Sequence, residues 1–422
     1  MDLRTYMLTK KESIKGLRIE ERNIEINENK NFITSIVGPR RAGKTYFLYG
    51  LIRRRNLKDE DFVLLNFEEP VEIKDLDEAI LGHHEVYNKE PTYLFLDEVQ
   101  GLVGWEKHVY SLYERKRYFI FITGSSSKIL SKEIATQLRG RAIPLHVFPF
   151  SFKEVLRVNK LELKKYYSSY ELAKIRYLLS SCIKRGFFPD IVLGNIEPFT
   201  FFKEYLDLVI YRDIIERFGI RNRYALEFFL KSCISSNTSL VSVYKIFNTL
   251  KSQGIKISKK TLYAFQKIIE DINFGFFLKK FDWSKRKTEL SLPKFYLVDN
   301  AIYTYFERED AGKLMENIVF LELVKKNLVP NENIFYWRSN RGDEIDFVIK
   351  KDAQIEELIQ VTYASGKDEI ERREIEALIK ASAELICNNL LVITWNYEDE
   401  LVFDNIKIKF LPLWKWLSMV TI

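Results

Sequence analysis

Near-continuous apolar runs punctuate the first third of the chain, at 32–37, 62–67, 93–96, 118–122 and 142–148. Charged stretches with helical spacing separate them, at 46–55, 75–90 and around Trp105. Strands apolar on both sides that alternate with helices predict a parallel sheet buried on both faces. Residues 1–30 read as a charged, amphipathic lead-in. From 151 to about 219 the spacing is helical throughout, broken at Gly186-Phe187-Phe188-Pro189. The stretch 241–254 has apolar residues at helical spacing and ends on Gly254, a helix stop. A second helix begins after Ser258, its expected N-cap. Strands return at 295–298, 334–338, 344–349, 357–363 and 390–394, with helices expected at 312–327 and 367–385.

A chain of 422 residues is too long for one core. The pattern divides it into an α/β domain (1–150), a helical lid (151–220), a compact helical module (221–292) and a second α/β domain (293–422). No run of 18 apolar residues is present, which excludes a spanning helix, and the charged N-terminus lacks the apolar core of a signal peptide. Three scattered cysteines, Cys182, Cys233 and Cys387, fit a reducing compartment, so a cytoplasmic location is expected. No Cys/His cluster has zinc spacing. The net charge is +7, but residues 221–290 hold 14 Lys/Arg against 5 Asp/Glu. One segment therefore carries the whole basic surplus, as expected of a module that binds nucleic acid.

The candidate chemistry begins at Gly38-Pro39-Arg40-Arg41-Ala42-Gly43-Lys44-Thr45, which matches G-x-x-x-x-G-K-[ST] between a strand and a helix. Backbone N–H groups of such a turn wrap a polyphosphate, which implies ATP as ligand. Lys44 would reach the β- and γ-phosphates, and the Thr45 hydroxyl would ligate Mg²⁺. Asp97 closes an apolar strand where a second acidic group holds the Mg²⁺ shell, and Glu98 beside it can orient or deprotonate the attacking water. Ser125, beyond the next strand, is the candidate for sensing the γ-phosphate, with Thr123 as runner-up. Arg141 is the first candidate for stabilising the transferring phosphoryl group, in cis or from a neighbouring copy; Arg139 and Arg212 are alternatives.

These runs (GPRRAGKT, YLFLDEVQGLVGWEKHV and FITGSSSKILSKEIATQLRGRAIPLHVFPFSFKEVL) resemble the archaeal and bacterial AAA+-type P-loop ATPases that carry a C-terminal nuclease-like domain. The resemblance implies strand order 5-1-4-3-2. It also implies a role near the adenine base for a Gly-Gly-Phe-Pro element, here altered to Gly186-Phe187-Phe188-Pro189.

In the basic module the second helix would present Lys259, Lys260 and Tyr263 near its N-terminus, the end that faces the major groove in helix–turn–helix proteins. Residues 276–280 and the basic Lys285-Arg286-Lys287 read as a β-wing, which makes the module a winged helix and DNA the expected partner. A winged helix used only for protein contacts is the other reading.

At the C-terminus, Glu316 on a helix, Asp346 in a strand and Gln360-x-Thr362 in the next resemble the PD-(D/E)xK nuclease (restriction-endonuclease-like) fold. Active members carry Glu-x-Lys at that last position. Amide for carboxylate, and no lysine, imply weaker metal binding and a degenerate site. A lysine that reaches Asp346 from elsewhere in space would instead favour an ATP-regulated DNA nuclease.

Overall fold

Strands β1 (Ile33–Val37), β2 (Phe62–Asn66), β3 (Tyr93–Asp97), β4 (Phe119–Thr123) and β5 (Ala142–His146) form one sheet in the order β5-β1-β4-β3-β2. Every neighbouring pair is parallel. Because successive side chains point to opposite faces, Val63, Leu65, Leu94, Leu96, Ile120 and Ile122 enter one apolar cluster. Phe62, Leu64, Phe95 and Phe121 enter another. Burying each such side chain contributes about 1.5–3 kcal/mol, so this sheet is covered on both faces, as the continuous apolar runs predict. The computed structural model describes residues 2–71, 73, 75–124, 138, 140–403 and 406–419, in two compact units, Met1–Pro149 and Phe150–Ile422. Among them no helix is long and apolar enough to cross a membrane.

Helices α1 (Leu3–Lys15), α2 (Lys44–Arg54), α3 (Leu76–Tyr87) and α4 (Trp105–Glu114) complete the described part of the first unit. Helix α1 starts where the Asp2 carboxylate accepts the N–H groups of Arg4 and Thr5, and its buried face is Tyr6, Met7, Lys11 and Ile14. Lys11 is only 1% exposed. Its ammonium donates to the Asp59 carbonyl at 2.6 Å and lies 4.8 Å and 4.4 Å from the Phe62 and Tyr87 ring centres. Burial pulls its pKa down to about 7. The unfolded lysine keeps its proton to about pH 10, so between these values the unfolded state binds more protons and stability rises with pH. We expect wild-type Tm, measured against Lys11→Met, to climb from pH 7 to pH 10; parallel curves would contradict this.

The second unit opens with α5 (Phe152–Val158), α6 (Ser169–Arg185), α7 (Pro189–Val192) and α8 (Pro198–Asp207), the last running into a π-helical segment, Leu208–Glu216. Ser151 with Glu154, and Ser168 with Glu171, form reciprocal capping boxes. Gly186 ends α6 at φ 102°, and a Cβ there would stand 2.8 Å from Asp299 Oδ1. The Phe187 N–H donates to Asp299 Oδ2 at 2.7 Å, and both Phe187 and Phe188 are buried. Within this unit the altered Gly-Phe-Phe-Pro element is therefore a packing joint.

Helices α9 (Arg223–Ser235), α10 (Val243–Ser252) and α11 (Lys259–Asp271) follow, then β6 (Gly275–Leu278), α12 (Lys285–Leu290) and β7 (Lys294–Leu297). The Ser258 side chain accepts the Thr261 N–H and caps α11, as expected. Lys285, Arg286 and Lys287, expected as the basic tip of a β-wing, open a short helix instead. Its cause is local, since the Thr288 hydroxyl donates to the Asp282 carbonyl and accepts the Asp282 N–H, closing the chain into a turn. The antiparallel partner of β6 is β7, which lies beyond residue 292, and bridges at Asn237 and Leu240 add the segment after α9 to this hairpin.

Beyond α13 (Asn300–Phe306) come α14 (Ala311–Lys325), β8 (Ile334–Arg338), β9 (Glu344–Lys351), β10 (Gln354–Val361), α15 (Arg372–Leu385) and β11 (Leu390–Thr394). Strands β12 (Asp399–Phe403) and β13 (Ile406–Pro412), then α16 (Leu413–Ser418), extend the sheet past the last strand read from sequence. Its order is β12-β13-β11-β10-β9-β8, mixed in direction. Cys182, Cys233 and Cys387 are buried free thiols.

Candidate functional site

The turn after β1 is shaped by two glycines. Gly38 has φ 152°, and a Cβ there would lie 2.0 Å from the Val147 carbonyl oxygen, a collision with backbone. Gly43 caps α2 in the left-handed region, φ 90° and ψ 30°, without a side-chain cap. The first N–H groups of α2 therefore open toward the turn, the arrangement that suits an anion. Arg41 also has positive φ, 61°, a strain of about 1–2 kcal/mol for a side chain with a Cβ. From behind, Arg22, buried, donates to the Ala42 carbonyl at 3.0 Å and to the Phe148 carbonyl at 2.5 Å. Lys44 is buried, and its ammonium donates to the Gly38 and Pro39 carbonyls at 3.1 Å each.

The parallel register sets the ends of β2 and β3 side by side, Asn66 against Asp97. Asp97 is fully buried and accepts four hydrogen-bond contacts from three groups: the Thr45 hydroxyl (2.9 Å to Oδ2 and 3.2 Å to Oδ1), the Asn66 amide (3.1 Å to Oδ2) and the Thr123 hydroxyl on Oδ1. Burial pushes its pKa up to about 6, against the pull of Thr123, Thr45 and Lys44. Thr123, at the end of β4, also accepts the Glu98 N–H at 3.0 Å. One hydroxyl thus fixes both carboxylate positions. Glu98 sits at φ 52°, ψ 46°, a left-handed backbone that turns the chain off β3, and the Gln100 amide donates to its carboxylate at 2.5 Å.

The structure therefore brings Lys44, Thr45, Asp97 and Glu98 together at one end of the sheet, the C-terminal end where ligands bind in such folds. Ser125 lies outside the described residues, as does Arg139. Arg141 is not brought to this end. The Ile33 N–H donates to its carbonyl at 2.9 Å, and Ala142 pairs with Ile33 at the start of β1. The loop begins five residues on, roughly 16 Å away at 3.3 Å per strand residue. Its side chain stacks over Tyr110 at 5.4 Å and lies 3.8 Å from Glu114, so a role in cis is corrected. Arg212 lies exposed in the π-helical segment of the second unit. Sequence reading missed Asn66, Gln100 and Arg22.

On α11, Lys259, Lys260 and Tyr263 are exposed, Tyr263 by 58%. The Lys259 ammonium rests 4.4 Å from the Tyr244 ring centre on α10, which holds it at the helix start. Lys285, Arg286 and Lys287 are exposed on α12.

In the last sheet, Glu316 and Asp346 do meet, and a residue that sequence reading did not single out stands between them. Lys294 on β7 is 2% exposed and reaches Glu344 at 2.6 Å, Glu316 at 2.9 Å and Asp346 at 3.3 Å. The Tyr296 hydroxyl, one step along on the same face, donates to Glu316 at 2.6 Å, and the Val361 N–H donates to Asp346 at 2.9 Å. Burial works against the Lys294 charge, but the three carboxylates outweigh it and hold its pKa up. Three carboxylates around one ammonium leave an excess of negative charge. Burial and mutual repulsion accordingly keep Glu316 and Asp346 above the usual carboxylate range, although Lys294 pulls both down.

Residues 30–156 match a family described as an AAA domain. Residues 176–312 and 311–416 match two domains of unknown function (DUF8612 and DUF4143). An uncharacterized protein of Methanocaldococcus jannaschii is 38% identical over 96% of this chain and 92% of its own length. An uncharacterized protein of Haemophilus influenzae is 27% identical over 92% of this chain and 95% of its own. The Walker-type ATPase of Pyrococcus abyssi aligns with 69% of this chain and 99% of its own at 15% identity, with a TM-score of 0.41. Carrying an AAA domain of the P-loop ATPase type, and matched nearly end to end at 38% identity, the chain belongs to the family of the Methanocaldococcus jannaschii protein.

Proposed function

We propose that this chain hydrolyses ATP with Mg²⁺ at the 38–45 loop and binds duplex DNA through a winged helix formed by α9–α11 and the β6–β7 hairpin. The observation that carries the first half is the Asp97 network, in which Thr45, Asn66 and Thr123 converge on one buried carboxylate beside Glu98. Those residues fit the group they would hold. The Gly38 cradle has no room for a Cβ, which suits backbone approach to phosphate, and the hydroxyl and carboxylate oxygens of Thr45 and Asp97 suit a hard divalent ion. Bound Mg²⁺ would neutralise charge on the β- and γ-phosphates.

The chain's own residues do the rest. Lys44 turns from its loop carbonyls to the phosphates. Glu98, held by Gln100, orients the attacking water and takes its proton. Thr123 joins Asp97 to the Glu98 backbone, and on this reading it reports the γ-phosphate. Arg141 acts from a neighbouring copy, because its own loop lies at the other end of the sheet; the reading thus includes a homo-oligomer. Phosphate release that requires Mg²⁺ and Glu98 tests this half.

For DNA, the supporting facts are the exposed Lys259, Lys260 and Tyr263 at the start of α11, within the segment that carries the basic surplus. Replacing Lys259 and Lys260 with Ala should flatten the log–log salt dependence of duplex binding by up to about 1.8 units, if both contact phosphate. An unchanged affinity and slope would favour the protein-contact reading instead.

The C-terminal succession α14-β8-β9-β10-α15-β11 supports a PD-(D/E)xK-like scaffold, and we read it as inactive. The contact of Lys294 with Asp346 at 3.3 Å favours the rival reading, an ATP-regulated nuclease. We prefer the inactive reading because Lys294 also touches Glu316 and Glu344.

A further inference from the structure

A nuclease-like site implies a divalent ion between its carboxylates, and the residues here do not fit one. Glu344 and Asp346 alternate on one face of β9, and the β9–β10 register, Ile359 against Phe347, sets Gln360 opposite Asp346 on that face. Glu316 reaches the same place from α14. Glu316, Glu344 and Asp346 converge on the Lys294 ammonium, each within 2.6–3.3 Å of it. With the ammonium among them, the described residues include no group of three carboxylates, thiols or imidazoles that stands ready to hold a metal ion. One polar atom points to what a cation at this place would use. Gln360 is 8% exposed, and its Oε1 has no hydrogen-bond partner among the described residues. The Lys294 ammonium does not satisfy that oxygen.

We propose that Lys294 is the resident cation of this cluster, a plug that replaces the divalent ion of a nuclease-like site and fastens the β6–β7 hairpin to the C-terminal sheet. This rests on reading the C-terminal domain as a nuclease-like scaffold, and it makes that scaffold inert. A lysine that serves phosphodiester cleavage must reach the substrate. The Lys294 side chain is 3% exposed and satisfied by three carboxylates. Removing its charge while keeping its length leaves three buried carboxylates and the Gln360 oxygen with no cation, an all-oxygen set that suits Mn²⁺ or Mg²⁺.

The test counts Mn²⁺ ions bound per chain, without nucleotide, in wild type, Asp346→Asn, Lys294→Met and the double variant. Any ion held at the 38–45 loop is common to all four and cancels. Wild type and Asp346→Asn should bind equally. Lys294→Met should gain about one ion, with Tm raised by Mn²⁺ by roughly 4 °C, and the double variant should lose both gains. A wild-type ion count that falls in Asp346→Asn overturns the proposal, as does a folded Lys294→Met that gains no ion. Should Lys294→Met not fold, the wild-type and Asp346→Asn counts decide alone: equality supports the plug. Mn²⁺-dependent DNA cleavage by wild type that disappears in Asp346→Ala would overturn plug and scaffold together and establish the nuclease. ATP turnover on the same samples reports separately on the first domain.

Discussion

Glu98→Gln should bind ATP within about threefold of wild type yet turn it over 10²–10⁴-fold more slowly, roughly the contribution of a positioned general base. The amide keeps the size of the carboxylate and can still meet Gln100, so the cradle is untouched, but it cannot accept the proton of the attacking water. Lys44→Ala should differ in kind. It removes a cation that meets the phosphates in both ground and transition states, so binding and turnover fall together. Nucleotide titration and phosphate release on both variants check this contrast. Parental turnover in Glu98→Gln would remove Glu98 as the base. Unchanged ATP affinity in Lys44→Ala would remove the loop as the site.

Gly38→Ala carries the second large effect. The added Cβ would lie 2.0 Å from the Val147 carbonyl oxygen, and that strand cannot yield easily, because the Val147 N–H is tied to the Val37 carbonyl at 2.8 Å. Overpacking of this kind costs about 1–3 kcal/mol, or roughly 4–10 °C in the Tm of a unit this size. Since the strain falls on the residue that opens the loop, ATP affinity should drop at least about tenfold. Gly16→Ala is the control: a Cβ there meets nothing within 4 Å. Thermal melts and ATP titration of the two variants decide it. Equal behaviour would mean that the close approach of Gly38 to Val147 does not shape the loop.

How much of this could be read from the residues follows from how local each feature is. The 38–45 loop, Asp97 and Glu98 are short motifs flanked by the strands they need, and strand order 5-1-4-3-2 follows from the family they resemble. Asn66 was not legible, because it reaches Asp97 only through the β2–β3 register. The contacts of Thr123 with Asp97 and the Glu98 N–H were likewise not legible, because a hydroxyl at a strand end looks like any turn residue until its partner is placed. The position of Arg141 at the far end of the sheet from its own loop was not legible either, since sequence distance does not tell which end of β5 faces the loop. The basic run 285–287 became a helix through two Thr288–Asp282 bonds that no spacing rule foresees. Lys294 is separated from Glu316 by 22 residues and from Asp346 by 52. A signal was present there: Lys294 leads a strand buried at all four positions, where a lysine needs a partner.

On the proposed reading, the Asp97–Glu98 end of the first sheet hydrolyses ATP. The most direct test is steady-state phosphate release by the purified chain with Mg²⁺ and with chelator, each with and without single-stranded, duplex and branched DNA. We expect Mg²⁺-dependent release that DNA alters and that Glu98→Gln abolishes. Tight ATP binding with no release under any of these conditions would contradict it and leave a nucleotide-gated switch as the better description.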